Sequence, residues 1–209
     1  MAFRETALRR PLAIPGTPRR TFPTDATLQQ TGETQSMSSS HGVRKRKGHR
    51  LAPAVYAATG YEFYFTVCAR HQDEPFRNAH LAKTVIESLL WSKRHYQWLL
   101  FCYCLMPDHL HFVCRLTESD VRQLNAGARG IEPEGVLDHL ARFKSYTTSQ
   151  SWKLGLSGKL WQKSSYDRVL DMERPFVEVV EYALNNPVRK GLVSDWEEWP
   201  YSEIVDPWW

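Results

Sequence analysis

The sequence contains no run approaching the roughly 18 consecutive apolar residues of a membrane span, and no compact apolar N-terminal stretch followed by a cleavage site. Neither insertion nor export is therefore expected. Cysteine is scarce: Cys68, Cys102, Cys104 and Cys114 are the four, and all lie in apolar, strand-like runs instead of loops. That placement argues against a disulfide framework and for buried thiols in a reducing compartment, with the cytoplasm as the default. No internal repeat is found, which sets solenoids and propellers aside. The body of the chain also lacks a positive surplus. Residues 1–50 carry 10 Lys or Arg against 3 Asp or Glu, whereas residues 51–209 carry 17 against 20. Overall basicity is a property of the leader, so nucleic-acid binding by the body requires its cations to be gathered on one face.

What is present suits one domain. The chain has 209 residues, 42% of them hydrophobic and 24% charged, with 8 Trp, 9 Tyr and 9 Phe, the balance of a protein with a real core. Residues 1–53 form a leader: Pro11, Pro15, Pro18 and Pro23, a Thr/Gln/Ser tract from Thr27 to Ser40, then Arg44, Lys45, Arg46, Lys47 and Arg50. No helical or strand periodicity survives that composition. The leader reads as disordered in isolation, and its functional version is a basic arm that settles on phosphates. The folded domain spans residues 54–209.

Apolar periodicity gives the order of elements. Tyr61 to Arg70 reads as a strand, and Asn78 to Lys93 as a helix with Leu81, Val85, Ile86, Leu89 and Leu90 at spacings of three and four. Gln97 to Met106 and His109 to Leu116 read as neighbouring antiparallel strands punctuated by Pro107 and Asp108. Glu118 to Leu124 and Gly135 to Thr148 suggest helices, Leu160 to Leu170 a short strand, and Pro175 to Asn186 a closing helix stopped by Pro187. The Trp-rich tail after Gly191 is expected to pack on the body. Strand, helix, strand, strand, helix, strand, helix fits an α+β fold of ferredoxin-like type, an antiparallel sheet with one face buried under helices.

The sharpest local feature is His109-Leu110-His111. Side chains alternate along a strand, so the two imidazoles project the same way and can share a divalent ion. The alternative is a strand histidine hydrogen-bonded near an edge. Tyr182 and Asn186 are four residues apart and share a helical face. If that face looks toward the histidines, a phenol and an amide oxygen meet them; otherwise Tyr182 is a core residue and Asn186 a cap before Pro187. A zinc site of Cys102, Cys104, His109 and His111 competes, but its cysteines do not form the tight knuckle of closed sites and it leaves Tyr182 and Asn186 unused. Asp108 either orients a ligand or stabilises the turn, and the turn is the preferred reading.

YEFYFTVCARHQ, MPDHLHFV, FKSYTTSQ, KLWQKSSYDRV, VVEYALNNPVRKGLV and the ending WPYSE together resemble the REP-associated tyrosine transposases. These are relatives of small single-tyrosine transposases in the endonuclease superfamily named for two histidines around one hydrophobic residue (HUH). The resemblance covers about residues 54–206 and leaves the leader aside. It implies His109 and His111 as paired metal ligands, Asn186 as third ligand and Tyr182 as the nucleophile that becomes joined to DNA. It further implies a Mg²⁺ or Mn²⁺ cofactor and a 5′-phosphotyrosine intermediate with a free 3′-hydroxyl. The implied activity is that of a single-stranded DNA endonuclease and strand transferase acting on palindromic hairpins, with a non-catalytic hairpin-binding protein as the alternative. Such a protein would be cytoplasmic and nucleoid-associated, as a monomer or homodimer. Unstacked bases need aromatic platforms and phosphates need cations. Trp161 and Tyr166, with Lys159, Lys163 and Arg168, supply one mixed surface; Arg142, Lys144, Arg189 and Lys190 are further phosphate candidates.

Overall fold

A computed structural model of the protein describes residues 51–70, 74–118, 135–170 and 176–208, within the unit Lys47–Trp209. The expected basic leader up to residue 50 and nearly all of the expected helix Glu118 to Leu124 lie outside the described residues. The elements are α1 (Pro53–Tyr56), β1 (Glu62–Cys68), a 3₁₀ turn (Pro75–Arg77), α2 (Ala79–Tyr96), β2 (Leu99–Leu105), β3 (His109–Arg115), α3 (Val136–Lys153), β4 (Tyr166–Val169), α4 (Phe176–Leu184), α5 (Asn186–Arg189), a second 3₁₀ turn (Trp196–Glu198) and β5 (Ser202–Ile204). The five strands form one antiparallel sheet in the order β4-β1-β3-β2-β5. This is an α+β fold with its sheet packed against helices.

Alternation along β1 and β3 divides the sheet into two faces. Phe63, Phe65 and Val67 of β1 and Leu110, Phe112 and Cys114 of β3 turn toward α2 and α3, where Leu81, Val85, Leu89, Leu140 and Phe143 complete the main core. Burying each of the larger side chains contributes roughly 1.5–3 kcal/mol relative to exposure. The opposite face carries Tyr64, Cys102 and Val113, which pack on Val179, Val180, Ala183 and Leu184 of α4. The sheet is therefore covered on both faces, not on one. The nearly unbroken apolar character of β2 is the signature of that two-sided burial.

Local chemistry sets the element ends. Asn78 caps α2 by accepting the N–H groups of His80 and Leu81 at 3.0 and 3.1 Å. Gln97 closes α2 in the left-handed region (φ 58°), so the following strand begins at Leu99 and not at Gln97. Only Tyr166–Val169 of the expected strand Leu160 to Leu170 pairs as β4, with an isolated bridge from Trp161 to Ala69. Pro187 does not end the helical region. α4 stops at Leu184, and Pro187 lies in the first turn of α5, where its missing N–H costs nothing. The Trp-rich tail does more than pack: it adds β5 to the sheet beside β2. Asp206 fastens it, its carboxylate accepting from Lys93 Nζ at 2.6 Å and the Leu100 N–H at 2.9 Å. No helix among the described residues is long and apolar enough to cross a membrane.

Candidate active site

The face of the sheet that carries α4 also carries the histidines. His109 and His111 alternate with Leu110 on β3, with Cys68 and Thr66 of β1 as their respective partners on one side and Cys104 of β2 opposite His111 on the other. Their Nε2 atoms lie 2.9 Å apart. Each outer nitrogen is held: His109 Nδ1 is 2.6 Å from Asp108 Oδ1, and His111 Nδ1 is 2.7 Å from the Tyr64 hydroxyl and 3.0 Å from Thr66 Oγ1. With the proton on Nδ1, the carboxylate and the hydroxyl oxygens accept it, and both Nε2 lone pairs turn to one point. Asp108 thus does more than stabilise the turn.

His111 is only 5% exposed. Burial first, then the neighbouring His109, push its pKa down to about 3, and Arg189 acts in the same direction; a side-chain hydrogen bond with Asn186 opposes them. The imidazole is therefore neutral at pH 7, as a ligand must be. Burial also raises the Tyr64 phenol well above the ordinary range, so this hydroxyl keeps its proton.

The end of α4 meets this pair. Asn186, 7% exposed, donates from Nδ2 to the carbonyls of Tyr182 and Ala183 at 2.8 and 3.2 Å, so its amide oxygen takes no part in those bonds. The Tyr182 ring is 6.4 Å from that of His111 and 6.3 Å from that of Tyr64, edge to face with both. Tyr182 remains 44% exposed, and the Arg189 guanidinium lies 4.4 Å over its ring. The break between α4 and α5 does not separate Tyr182 from Asn186, because the amide of one binds the backbone of the other.

The surrounding candidates divide. Register pairs Tyr166 with Thr66 and Arg168 with Tyr64, which puts both on the histidine face; Tyr166 is 61% exposed. Lys144 Nζ reaches the Lys163 carbonyl at 3.4 Å and acts electrostatically on Cys68, so Lys144 lies toward the His109 end. Lys159 and Lys190 are exposed. Two expectations need correction. Trp161 is not a platform for bases: it is 3% exposed, its indole N–H donates to Thr147 Oγ1 at 2.7 Å, and it packs on Phe76 and Phe143. Arg142 is on α3, behind the sheet, with its guanidinium 5.7 Å over the Tyr96 ring. Aromatic and basic composition could not separate a core tryptophan from a surface one. Tyr64 and Thr66 were missed because their contact with His111 depends on β1–β3 register, which a single strand sequence does not contain.

Among the described residues, no group of three or more His, Cys, Asp or Glu is arranged to hold a metal ion. Cys102 and Cys104 are buried, and burial pushes the Cys104 thiol up to about 12 and that of Cys102 further, so a thiolate zinc site is not favoured. The two imidazoles and the amide oxygen of Asn186 are a different candidate donor set. Cis nitrogens at about 2.1 Å on an octahedral ion stand roughly 3 Å apart, and the observed Nε2 separation of 2.9 Å fits that spacing.

No family model matches the chain. A Haemophilus influenzae protein described as "Putative REP-associated tyrosine transposase" is 24% identical over 121 residues, 53% of this chain and 61% of its own length. The chain thus spans less than two thirds of that relative. An Escherichia coli REP-associated tyrosine transposase is 23% identical over 151 residues, 70% of this chain and 78% of its own. The solved structure of a REP-associated tyrosine transposase bound to a REP hairpin superposes with a TM-score of 0.51 at 20% identity, covering 69% of this chain and 77% of that one. The protein is a distant relative of these transposases in sequence, and its α+β fold is structurally related to theirs.

Proposed function

We propose that the protein is a divalent-metal-dependent DNA transesterase that cuts and rejoins single-stranded DNA beside hairpins, with Tyr182 as nucleophile. The observation that carries this reading is the meeting, within one chain, of the Tyr182 ring and the His109–His111 pair, with Asn186 hydrogen-bonded to the Tyr182 carbonyl and near enough to act on His111. The strand order β4-β1-β3-β2 with two split β-α-β connections supports a ferredoxin-like sheet of HUH type beneath it.

His109, His111 and Asn186 would hold the ion. When bound, it neutralises charge that develops on the non-bridging phosphate oxygens. The Tyr182 oxygen attacks phosphorus in line with the 3′ oxygen: the phenol gives up its proton, the new P–O bond forms, and the 3′ oxygen leaves and takes a proton. The products are a 5′-phosphotyrosine and a free 3′-hydroxyl, and attack by a 3′-hydroxyl on that link reverses the step. Arg189, beside both the Tyr182 ring and His111, positions the phosphate. Tyr166 and Arg168 extend the same face for the strand, and a hairpin of the kind bound by the structural relative is the substrate class.

The test uses labelled hairpins with randomised single-stranded flanks and Mn²⁺. A covalent adduct that survives denaturation, and disappears in Tyr182→Phe and in excess EDTA, is expected. Binding without an adduct across the library would replace this reading with that of a hairpin-binding protein.

A further inference from the structure

From His139 to Tyr166 the chain has five Lys or Arg and no Asp or Glu, although the body as a whole is slightly acidic. The stretch comprises most of α3 and the loop that follows it. The one carboxylate of α3, Asp138, is engaged at the first turn, where it accepts the Gly135 N–H at 2.8 Å. The end of the helix and its loop thus carry Lys153, Lys159 and Lys163 with no carboxylate among them, an uncompensated positive charge.

At the end of α3, Trp152 is 54% exposed yet fixed: its indole N–H donates to the Gly158 carbonyl at 2.6 Å. Gly155 and Gly158, at φ +86° and +74°, turn the loop back to make that contact. An indole that satisfies its N–H within the protein and leaves its ring in water is a ready stacking surface. Beside it, Ser151, Leu156, Ser157, Lys159 and Leu160 line an open groove of about 360 Å³. The groove connects to the histidine site through the backbone: Leu160 accepts the Arg70 N–H, Gln162 donates to Cys68, and Cys68 pairs with His109. Lys144 Nζ, 3.4 Å from the Lys163 carbonyl, is near enough to Cys68 to act on it electrostatically.

We infer that this groove binds single-stranded DNA that flanks the reacting position, with one base stacked on Trp152 and adjacent phosphates at Lys153 and Lys159. The inference rests on the substrate class proposed above, but it is tested by binding and not by cleavage. The full-length chain is titrated, in EDTA, into fluorescein-labelled (dT)₂₀ and a labelled 20-base-pair duplex, with anisotropy as the readout. Trp152→Ala and Lys159→Glu are expected to weaken (dT)₂₀ binding about tenfold. Trp152→Phe should stay within about twofold of wild type, and Trp91→Ala, which removes an equally exposed tryptophan on α2, should change nothing. Thermal melting of each variant checks the fold; Lys159→Glu, on an exposed loop, tests the site even where Trp152→Ala unfolds. Wild-type affinity in both Trp152→Ala and Lys159→Glu, or a loss by Trp152→Ala that is equally large for duplex, overturns the inference. Trp152-dependent (dT)₂₀ binding without any Tyr182 adduct would leave this groove standing and sink the transesterase; an adduct with unaltered binding in both Trp152→Ala and Lys159→Glu would do the reverse.

Discussion

Acid should weaken the fold through one identifiable imidazole. His111 is held neutral at its buried position, with a folded-state pKa of about 3, against roughly 6.5 in an unfolded chain. Below pH 6.5 the unfolded chain takes up a proton that the folded site refuses, so stability is full above that value and falls as the pH drops toward 3. The slope is about 1.4 kcal/mol per pH unit, which amounts to ~2 kcal/mol lost by pH 5 from this residue alone. Urea unfolding of the metal-free protein at pH 7.5, 6.5, 5.5 and 5.0, in wild type and in His111→Gln, isolates the contribution, because other titrating groups act on both. The variant is expected to start less stable at pH 7.5 and to lose about 2 kcal/mol less than wild type over the interval. Parallel profiles in wild type and variant would refute the claim that burial keeps this imidazole neutral.

Two further outcomes test the supports of the site and of the fold. Tyr64→Phe removes a hydroxyl 2.7 Å from His111 Nδ1; isothermal titration should show Mn²⁺ affinity falling on the order of tenfold, with stability lowered by about 1 kcal/mol in urea. Gly135→Ala should destabilise the chain by roughly 1–3 kcal/mol in the same assay, because a Cβ there would lie 2.6 Å from the Tyr56 carbonyl oxygen; an unchanged midpoint would mean that α1 shifts freely away from the start of α3.

The legible parts of this molecule are those fixed by short-range pattern. Leu81, Val85 and Leu89 announced α2 because one helical face is enough to reveal a helix, and His109 and His111 had to share a face once β3 was a strand. What stayed hidden depends on partners far along the chain. β5 has three residues, and its place in the sheet is secured by Lys93 and Leu100 holding Asp206, a contact with no local signal. Pro187 reads as a helix stop from sequence, yet a first-turn proline is equally compatible with a new helix. Trp161 is distinguished from Trp152 by which indole finds Thr147 and which finds Gly158. The approach of Tyr182 to His111 was conditional on α4 crossing β2 and β3, a question of packing and not of spacing.

β1 shows how closely the two halves of the problem are joined. In seven consecutive residues, Phe63, Phe65 and Val67 build the interior while Tyr64, Thr66 and Cys68 border the histidines. Inserting or deleting a single residue would exchange the two sets, turning hydroxyls into the interior and phenyl rings onto the histidines. This strand can therefore diverge letter by letter but not in length, so that gaps among its descendants should collect in the flanking turns.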